Sequence, residues 1–517
     1  MNVTATKRRG RKRSSSVRVA VIGGGFGGIC AAVKLQKAGF DDFVIYEKSA
    51  EPGGVWWDNQ YPGAEVDTPS HMYSFSFMRY DWSRNYAQQE ELLGYINATI
   101  DHFGLRPRFR LNTLVASVVW NDARQQYAVR TEDGEEWFDF VISAVGLLNV
   151  PRYPTWPGMD EFEGPMFHTS RWDDSVDLKG KRVAVVGTGS TAIQIVANVA
   201  EDVGELTVFQ REANWPSPKR IVEYTDKQRK QMQNPLRYHW ERMVHGYLPR
   251  ERDWMFNRVN RVGTAANRRG EQASRALVNS QLASRPDLRE LVIPNYPFMG
   301  KRPQRDEKYL PALARDNVRL VPKAVQSVTR RGLVDVDGTE HPVDVIILST
   351  GFQPSRFLAQ LPVTGKDGLS LEKYWDDDPR AFLGCTVPNF PNFFMLYGPN
   401  TNGYAILFLL EQEAAYAVRS IKRVLRKGGT SIDTKESFLR RYKRWIDRRA
   451  SKAVWVQARN YYASASGTVV TQWVDGCALY WALTRALLAP SSVVQRRDVD
   501  RSPQSTAESV VVSTRAD

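Results

Sequence analysis

Cysteine is scarce in this 517-residue chain: Cys30, Cys385 and Cys477 stand far apart, with no C-x-x-C pair. That spacing excludes a dithiol redox centre and a cysteine zinc site, and it fits a reducing cytosol. A spanning segment is missing too. The uncharged stretch from Val387 to Leu410 carries three prolines and four asparagines, which bar a membrane helix. The paired arginines near the N-terminus run straight into VRVAVIGGGFGG, a strand and a turn where an export signal needs an apolar core. These absences predict a soluble, cytoplasmic protein. Acid is absent from residues 1–18, which hold seven Lys and Arg, half of the net charge of +14. Residues 1–16 are therefore expected to be a disordered basic tail. The milder surplus on the rest of the chain suits anionic cofactors, and no nucleic acid is expected as a partner.

What is present is enough apolar residue (42%) and aromatic surface, with 15 Trp and 21 Tyr, for roughly two to four packed domains. VRVAVIGGGFGGICAAVKLQKAGF opens with β-branched residues, turns on glycines and continues in a helical pattern. Gly23, Gly25 and Gly28 fit G-x-G-x-x-G at a strand-to-helix junction, where the helix N-terminus receives a pyrophosphate. The next strand, DFVIYEK, ends at Glu47, an acid placed to accept hydrogen bonds from ribose hydroxyls. The pattern returns in KRVAVVGTGSTAIQIVANVA, with Gly187, Gly189 and Ser190 at the turn and Ala192 in the third glycine slot. Its second strand, LTVFQR, ends at Arg211. Glu47 lies 24 residues after Gly23, and Arg211 lies 24 residues after Gly187.

One structural position thus holds an acid in the first unit and a base in the second. A carboxylate repels a 2′-phosphate and a guanidinium pairs with it, so the first unit is predicted to take FAD and the second NADPH. The fold class expected is α/β, with two Rossmann-type dinucleotide-binding domains and a helical insertion. Two cofactors on one chain imply a flavoprotein reduced by NADPH. With no dithiol to receive the electrons, dioxygen is the acceptor.

Between the two units lies FEGPMFHTSRWD, residues 162–173, which reads as neither core strand nor amphipathic helix. Phe162, Gly164, His168, Trp172 and Asp173 match F-x-G-x-x-x-H-x-x-x-W-(P or D). By this motif the chain resembles the type I Baeyer–Villiger monooxygenases, a group of class B flavin-dependent monooxygenases, over residues 17 to 488. Relatives that oxidise nitrogen or sulfur usually carry Tyr or Phe where Trp172 stands. The resemblance implies a linker role for the motif, coupling the nucleotide domains without touching substrate. His168 is accordingly not read as catalytic.

The resemblance extends to PGGVWWDNQYPGAEVDTPSHMYSFSF (52–77). It implies that Trp56 and Tyr73 contact flavin, and that Asp67 sits near it and supports an active-site arginine. In NYPFMGKRPQRDEKYL (295–310), Gly300-Lys301-Arg302 match the family's element. There Lys301 is implied to bind the NADPH 2′-phosphate and Arg302 to stabilise a C4a-peroxyflavin. VDVIILSTGFQP (343–354) resembles an A-T-G-F element with Ser349 in place of Ala, and LYGPNTNG (396–403) a stretch that closes over the flavin. The chain departs from the usual pattern at Gln60, Glu65 and Val66, and at Asn460-Tyr461 and Val474-Asp475 within 459–485. The implied activity is insertion of one oxygen atom from O₂ beside a ketone or aldehyde carbonyl, giving an ester or lactone.

In organisation, residues 17–150 and 382–490 are expected to form the FAD-binding domain, and 151–215 with 292–381 the NADPH-binding domain. A helical insertion at 216–291 is expected to line or cover the substrate pocket, and 491–517 to be a disordered tail. No metal is called for. The expected partners are O₂ and a small ketone or thioether, on a monomer or weak oligomer. Two other readings share the cofactors. A flavin monooxygenase acting on sulfur or nitrogen is opposed by Trp172 and the Lys301-Arg302 pair, and a reductase or redox-responsive binding partner is encouraged only by the basic tail.

Overall fold

The computed structural model describes residues 17–496 apart from 459 and 465. Val19–Ile22, four apolar residues in succession, is buried along its whole length, as a strand covered on both faces of a parallel sheet must be. It pairs in parallel with Phe43–Tyr46 on one side and Phe140–Ser143 on the other, and the sheet ends in Phe109–Arg110 and Phe393–Met395. The second sheet repeats the plan. Arg182–Val186 lies between Glu205–Phe209 and Val345–Leu348, flanked by Val318–Val321 and Met166–His168, all parallel. Each central strand feeds the glycine turn read from the sequence.

Those turns need glycine for two different reasons. Gly23 and Gly187 have φ of 107° and 120°, a region that side chains avoid. Gly28 instead permits close packing: a Cβ there would lie 1.8 Å from the Gly23 carbonyl oxygen. The helix Phe26–Ala38 that follows stops at Gly39, whose left-handed conformation lets its N–H reach the Gln36 and Leu35 carbonyls. The long helix Ile406–Arg426 packs on Phe26–Ala38, so the C-terminal part of the chain returns to the first sheet.

Contacts with the first unit begin ahead of residue 382. Val363–Thr364 pairs with Ser117–Asn121, and Phe357, Leu361, Leu371 and Trp375 share a core with Val118, Trp120 and Tyr127. We accordingly propose that the first unit resumes near residue 357, ahead of 382. The tail expected from residue 491 also needs correction. Ser492–Gln495 forms an antiparallel pair with Ser431–Thr434, where Val494 opposes Ile432. Residues 497–517, like the basic tail 1–16, lie outside the described residues.

The insertion is helical, as its lack of alternation predicts, apart from Pro216–Ser217, which pairs with Gln304–Arg305. Its helices start on recognisable caps. Thr225 and Gln228 form a capping box, Asn234 precedes Pro235 in the first helical position, and Thr264 caps Ala265–Gln281. Among the described residues no helix is long and apolar enough to cross a membrane. Gly28→Ala is expected to destabilise the chain by about 1–3 kcal/mol through overpacking of the first turn, read as a lower urea midpoint. An unchanged midpoint would contradict the close approach.

Candidate active site

Both glycine turns open onto one cavity of about 1080 Å³, lined by residues of both sheets' loops. This exceeds the roughly 300–1,000 Å³ of a single small-ligand pocket. Gly23, Gly25, Glu47, Trp56, Asp67 and Tyr73 line it from the first unit, and Gly187, Gly189, Ser190, Arg211, Lys301 and Arg302 from the second. Gly28 sits behind the turn, in the core.

One wall of the cavity holds an ion pair between units. Arg302 donates through its guanidinium to Asp67. Asp67 is 18% exposed, while Arg302 keeps 43% because it borders the open cavity. Burial alone would raise the Asp67 carboxyl, but the charge and hydrogen bond of Arg302 outweigh it and hold the group below its usual range. Asp67 in turn pushes the Arg302 guanidinium further up, so that its charge is fixed at every working pH. Trp56 Nε1 donates to Tyr73 Oη at 3.2 Å, their rings edge to face at 5.9 Å, and burial pushes the Tyr73 phenol up to about 12. Tyr397 and Tyr461 complete this aromatic wall.

The five matched residues of the linker motif stay out of the cavity, although Thr169 between them borders it. Phe162, Gly164, His168, Trp172 and Asp173 are absent from its lining. His168 is buried; its Nε2 lies 3.1 Å from the Gly351 carbonyl and its Nδ1 2.9 Å from Ser170 Oγ. A carbonyl only accepts, so Nε2 carries the proton and Nδ1 accepts from the Ser170 N–H at 3.2 Å. His168 thereby fastens the 349–352 loop, whose four residues do line the cavity. A Cβ on Gly164 would lie 2.2 Å from the Asp344 carbonyl oxygen, and Trp172 packs edge-on against Phe167 at 5.2 Å. Asp173 is exposed and closes a turn with the Ser175 N–H at 3.0 Å.

Comparison with known proteins now decides the family. The family described as pyridine nucleotide-disulphide oxidoreductase matches residues 20–233. The three cysteines are nevertheless free and buried, so the disulfide chemistry of that description has no counterpart among the described residues. The Baeyer–Villiger monooxygenase of Streptomyces coelicolor is 35% identical over 487 residues, 91% of each chain. The chain belongs to the Baeyer–Villiger monooxygenases. A second such enzyme, from Pseudomonas aeruginosa, is 34% identical over 477 residues, 90% of this chain and 89% of its own. The crystal structure of OTEMO in complex with FAD and NADP superposes with a TM-score of 0.84 at 27% identity, covering 93% of this chain and 100% of that one.

This monooxygenase uses FAD and NADPH and carries out oxygenation of the Baeyer–Villiger type. Its residues fit both dinucleotides. Glu47 is buried and spends one oxygen on the Gly24 N–H at 2.6 Å and the other on the Ser49 N–H at 2.8 Å. A carboxylate has about four acceptor sites, so two remain for ribose hydroxyls. In the second unit, a Cβ on Gly189 would meet nothing within 4 Å, which leaves its turn open to a phosphate. Arg211 has no acidic partner among the described residues.

Several working residues escaped the sequence reading. Glu212 pairs with Lys301, whose Nζ also lies 5.0 Å from the Tyr296 ring centre. Its position directly after Arg211 was the only available signal. Gln194 bridges the units: its Nε2 donates to the Glu65 carbonyl at 2.9 Å while its Oε1 accepts from Tyr61 Oη at 2.9 Å. The departure at Glu65 is compensated in charge, because Arg84 and the fully buried Lys219 both pair with its carboxylate. Val66 is buried and borders the cavity, and Gln60 turns outward to the Trp57 carbonyl. Asn460 donates to the Gly300 carbonyl at 3.2 Å, beside the Lys301-Arg302 pair. Glu413 accepts from the Tyr397 N–H at 2.7 Å and Tyr480 Oη at 3.3 Å, and burial pushes it up to about 7.

No residue of the insertion is among those lining this cavity. Its inner face is committed elsewhere, with Arg242 donating at 2.8 Å to the His71 carbonyl and to Ser74 Oγ.

Because the folded-state pKa of Asp67 is depressed, its pair with Arg302 contributes stability above the unfolded pKa and loses it as pH falls through the folded value. Solvent at Arg302 screens the pair, so Asp67→Asn is expected to cost about 1–2 kcal/mol at pH ~7 and less near pH ~3. Urea melts at the two pH values check this; a cost that grows on acidification would contradict it.

Proposed function

We propose that Arg302 is the fixed cation that stabilises negative charge developing beside the flavin, and that Asp67 orients it. The observation that carries this reading is the Asp67–Arg302 pair in the wall of the cavity that both nucleotide turns line. A guanidinium suits the task because it does not titrate and aims its donors in a fixed plane. Bound FAD, reduced by NADPH, supplies the activation of dioxygen. The protein supplies position, charge and exclusion of water. Trp56, Tyr73, Tyr397 and Tyr461 present aromatic surface around Arg302, which keeps the reacting atoms dry.

Glu47 holds the adenosine ribose of FAD. Arg211 and Lys301 hold the NADPH 2′-phosphate, which would draw Lys301 away from Glu212. His168 holds the 349–352 loop in place and takes no part in proton transfer. The substrate is a small ketone or aldehyde, oxidised to an ester or lactone, and a thioether is open to the same oxidant.

Arg302→Ala is expected to retain NADPH-driven bleaching of the flavin and to form no ester from a panel of linear, cyclic and aryl ketones, scored by mass spectrometry. Ester at the normal rate from that variant would remove Arg302 from the mechanism. Arg211→Ala is expected to raise the KM for NADPH roughly ten- to hundredfold, the worth of a charge-assisted contact, and to leave the KM for NADH unchanged. Equal losses with both nucleotides would show that Arg211 does not read the 2′-phosphate.

A further inference from the structure

Behind the aromatic wall lies a buried carboxyl that the cofactor chemistry does not use. Glu413 is 1% exposed and does not line the cavity. It sits on the helix Ile406–Arg426, within two turns of Ile406, Leu407 and Leu410, which do line it. Its Oε2 accepts from the Tyr397 N–H at 2.7 Å, and its Oε1 lies 3.3 Å from Tyr480 Oη. Tyr480 Oη in turn donates to the Leu383 carbonyl at 2.6 Å. Tyr397 and Leu383 stand at φ of 60° and 54°, left-handed backbone that non-glycine residues avoid. Such conformations persist only where the surroundings over-determine them. The Glu413–Tyr480 pair thus holds one strained residue at each end. The two strained turns also touch: a Cβ on Gly398, next to Tyr397, would lie 2.0 Å from the carbonyl oxygen of Gly384, next to Leu383.

One hydroxyl hydrogen on Tyr480 faces two oxygens, and the shorter contact, to a carbonyl that can only accept, takes it. The 3.3 Å contact is then a hydrogen bond only if Glu413 supplies the proton. As the neutral acid, Glu413 gives Oε1–H to Tyr480 and receives the Tyr397 N–H on Oε2. The Cys385 thiol, 3.7 Å away, donates to the remaining lone pair of Tyr480. As a carboxylate, Glu413 competes with Leu383 for the single hydrogen, and one strained turn loses its anchor. Burial favours the neutral form and pushes Glu413 up to about 7. No cation pairs with it among the described residues: Arg419 on the same helix is bonded to the Thr484 carbonyl at 3.1 Å, and Lys34 pairs with Glu411 at 3.0 Å. The other titratable groups around it are Tyr397, Cys385, Tyr480, Cys30 of Phe26–Ala38 and Tyr442 of the helix Glu436–Ala450. Burial pushes all five up, so they stay neutral.

We propose that Glu413, in its protonated form, is the positioning residue of this wall: it anchors Tyr397 on one side and the Tyr480–Leu383 turn on the other, and so fixes the Tyr397 ring in the cofactor cavity. Tyr397 lines the cavity within electrostatic reach of Arg302, so its displacement admits water where the reacting atoms must stay dry. The proposal rests on the reading of Tyr397 as part of the aromatic wall around Arg302. The proton on Glu413, behind the wall, then sets the pH at which the wall loosens.

The test compares the full-length holoenzyme with its Glu413→Gln and Glu413→Leu variants. Gln copies the neutral acid, with an N–H for Tyr480 and an oxygen for the Tyr397 N–H, whereas Leu keeps the bulk and makes neither contact. Because the folded-state pKa is raised, Glu413 contributes stability that is present below its unfolded pKa and lost as pH rises through the folded value. The urea midpoint of the wild type should therefore fall relative to that of Glu413→Gln between pH ~5 and ~7 and run level with it above. Flavin absorbance and the peroxide released per NADPH read the position of the wall. Peroxide is expected to rise roughly tenfold in the wild type from pH ~6 to ~8, the worth of one hydrogen bond, to stay low in Glu413→Gln and to be high in Glu413→Leu throughout. Should Glu413→Leu fold poorly, Tyr480→Phe replaces it, since it removes the Leu383 anchor and should likewise raise peroxide. A Glu413→Gln enzyme that keeps the wild-type pH step, or a wild type without a step in flavin absorbance and peroxide, overturns the proposal. Urea midpoints and flavin absorbance do not depend on ester formation, so a failure of the Arg302 reading is told apart from a failure here.

Discussion

The pairing of Asp67 with Arg302 is the contact on which the cavity's charge depends, because it joins a loop of each nucleotide unit in the wall of the cavity they share. The carboxylate comes from a loop after the first glycine turn and the guanidinium from a loop that follows the insertion, 235 residues later in the chain. Each stabilises the charged form of the other. The result is a cation that stays charged at all working pH values and remains accessible from the cavity. A neutral donor or a titratable amine in that place would weaken as the surroundings dry.

The same loop is tied to the second unit by contacts that are not catalytic. Tyr61 and the Glu65 backbone meet Gln194 on the helix after the second glycine turn, and the Glu65 carboxylate gathers Arg84 and Lys219. Lys219 has no exposure, and an unpaired ammonium there would be costly, so Glu65 is required by its neighbours. His168 does comparable service for the opposite wall. Its neutral ring spans Ser170 and Gly351 and holds the loop that faces the second nucleotide turn. The active-site walls are therefore held by groups whose own chemistry is spent on positioning.

Much of the fold was legible in the sequence because it rests on local rules. A buried parallel strand, a glycine turn and a helix leave a readable pattern, and two copies of it at equal offsets disclosed two nucleotide sites. Helix caps in the insertion were equally local. The two-residue strand Val363–Thr364 and the four-residue strand Ser492–Gln495 could not be read locally, because each pairs with a distant partner. The facing of the insertion is likewise decided in space, since only the burial of Tyr238 and Arg242 shows which side faces in.

Sequence alone determined the nature of the cofactors, since an acid at Glu47 and a base at Arg211 are read from spacing and charge. It also marked Lys301 and Arg302 through resemblance. Tertiary structure decided which charges meet. Glu212 on Lys301, Asp67 on Arg302, and Arg84 with Lys219 on Glu65 all join residues separated by 19 to 235 positions. Electrostatic pairing acts through space over a few ångströms. The chain order that encodes the strands carries no record of such distances until the two sheets fold and face one another.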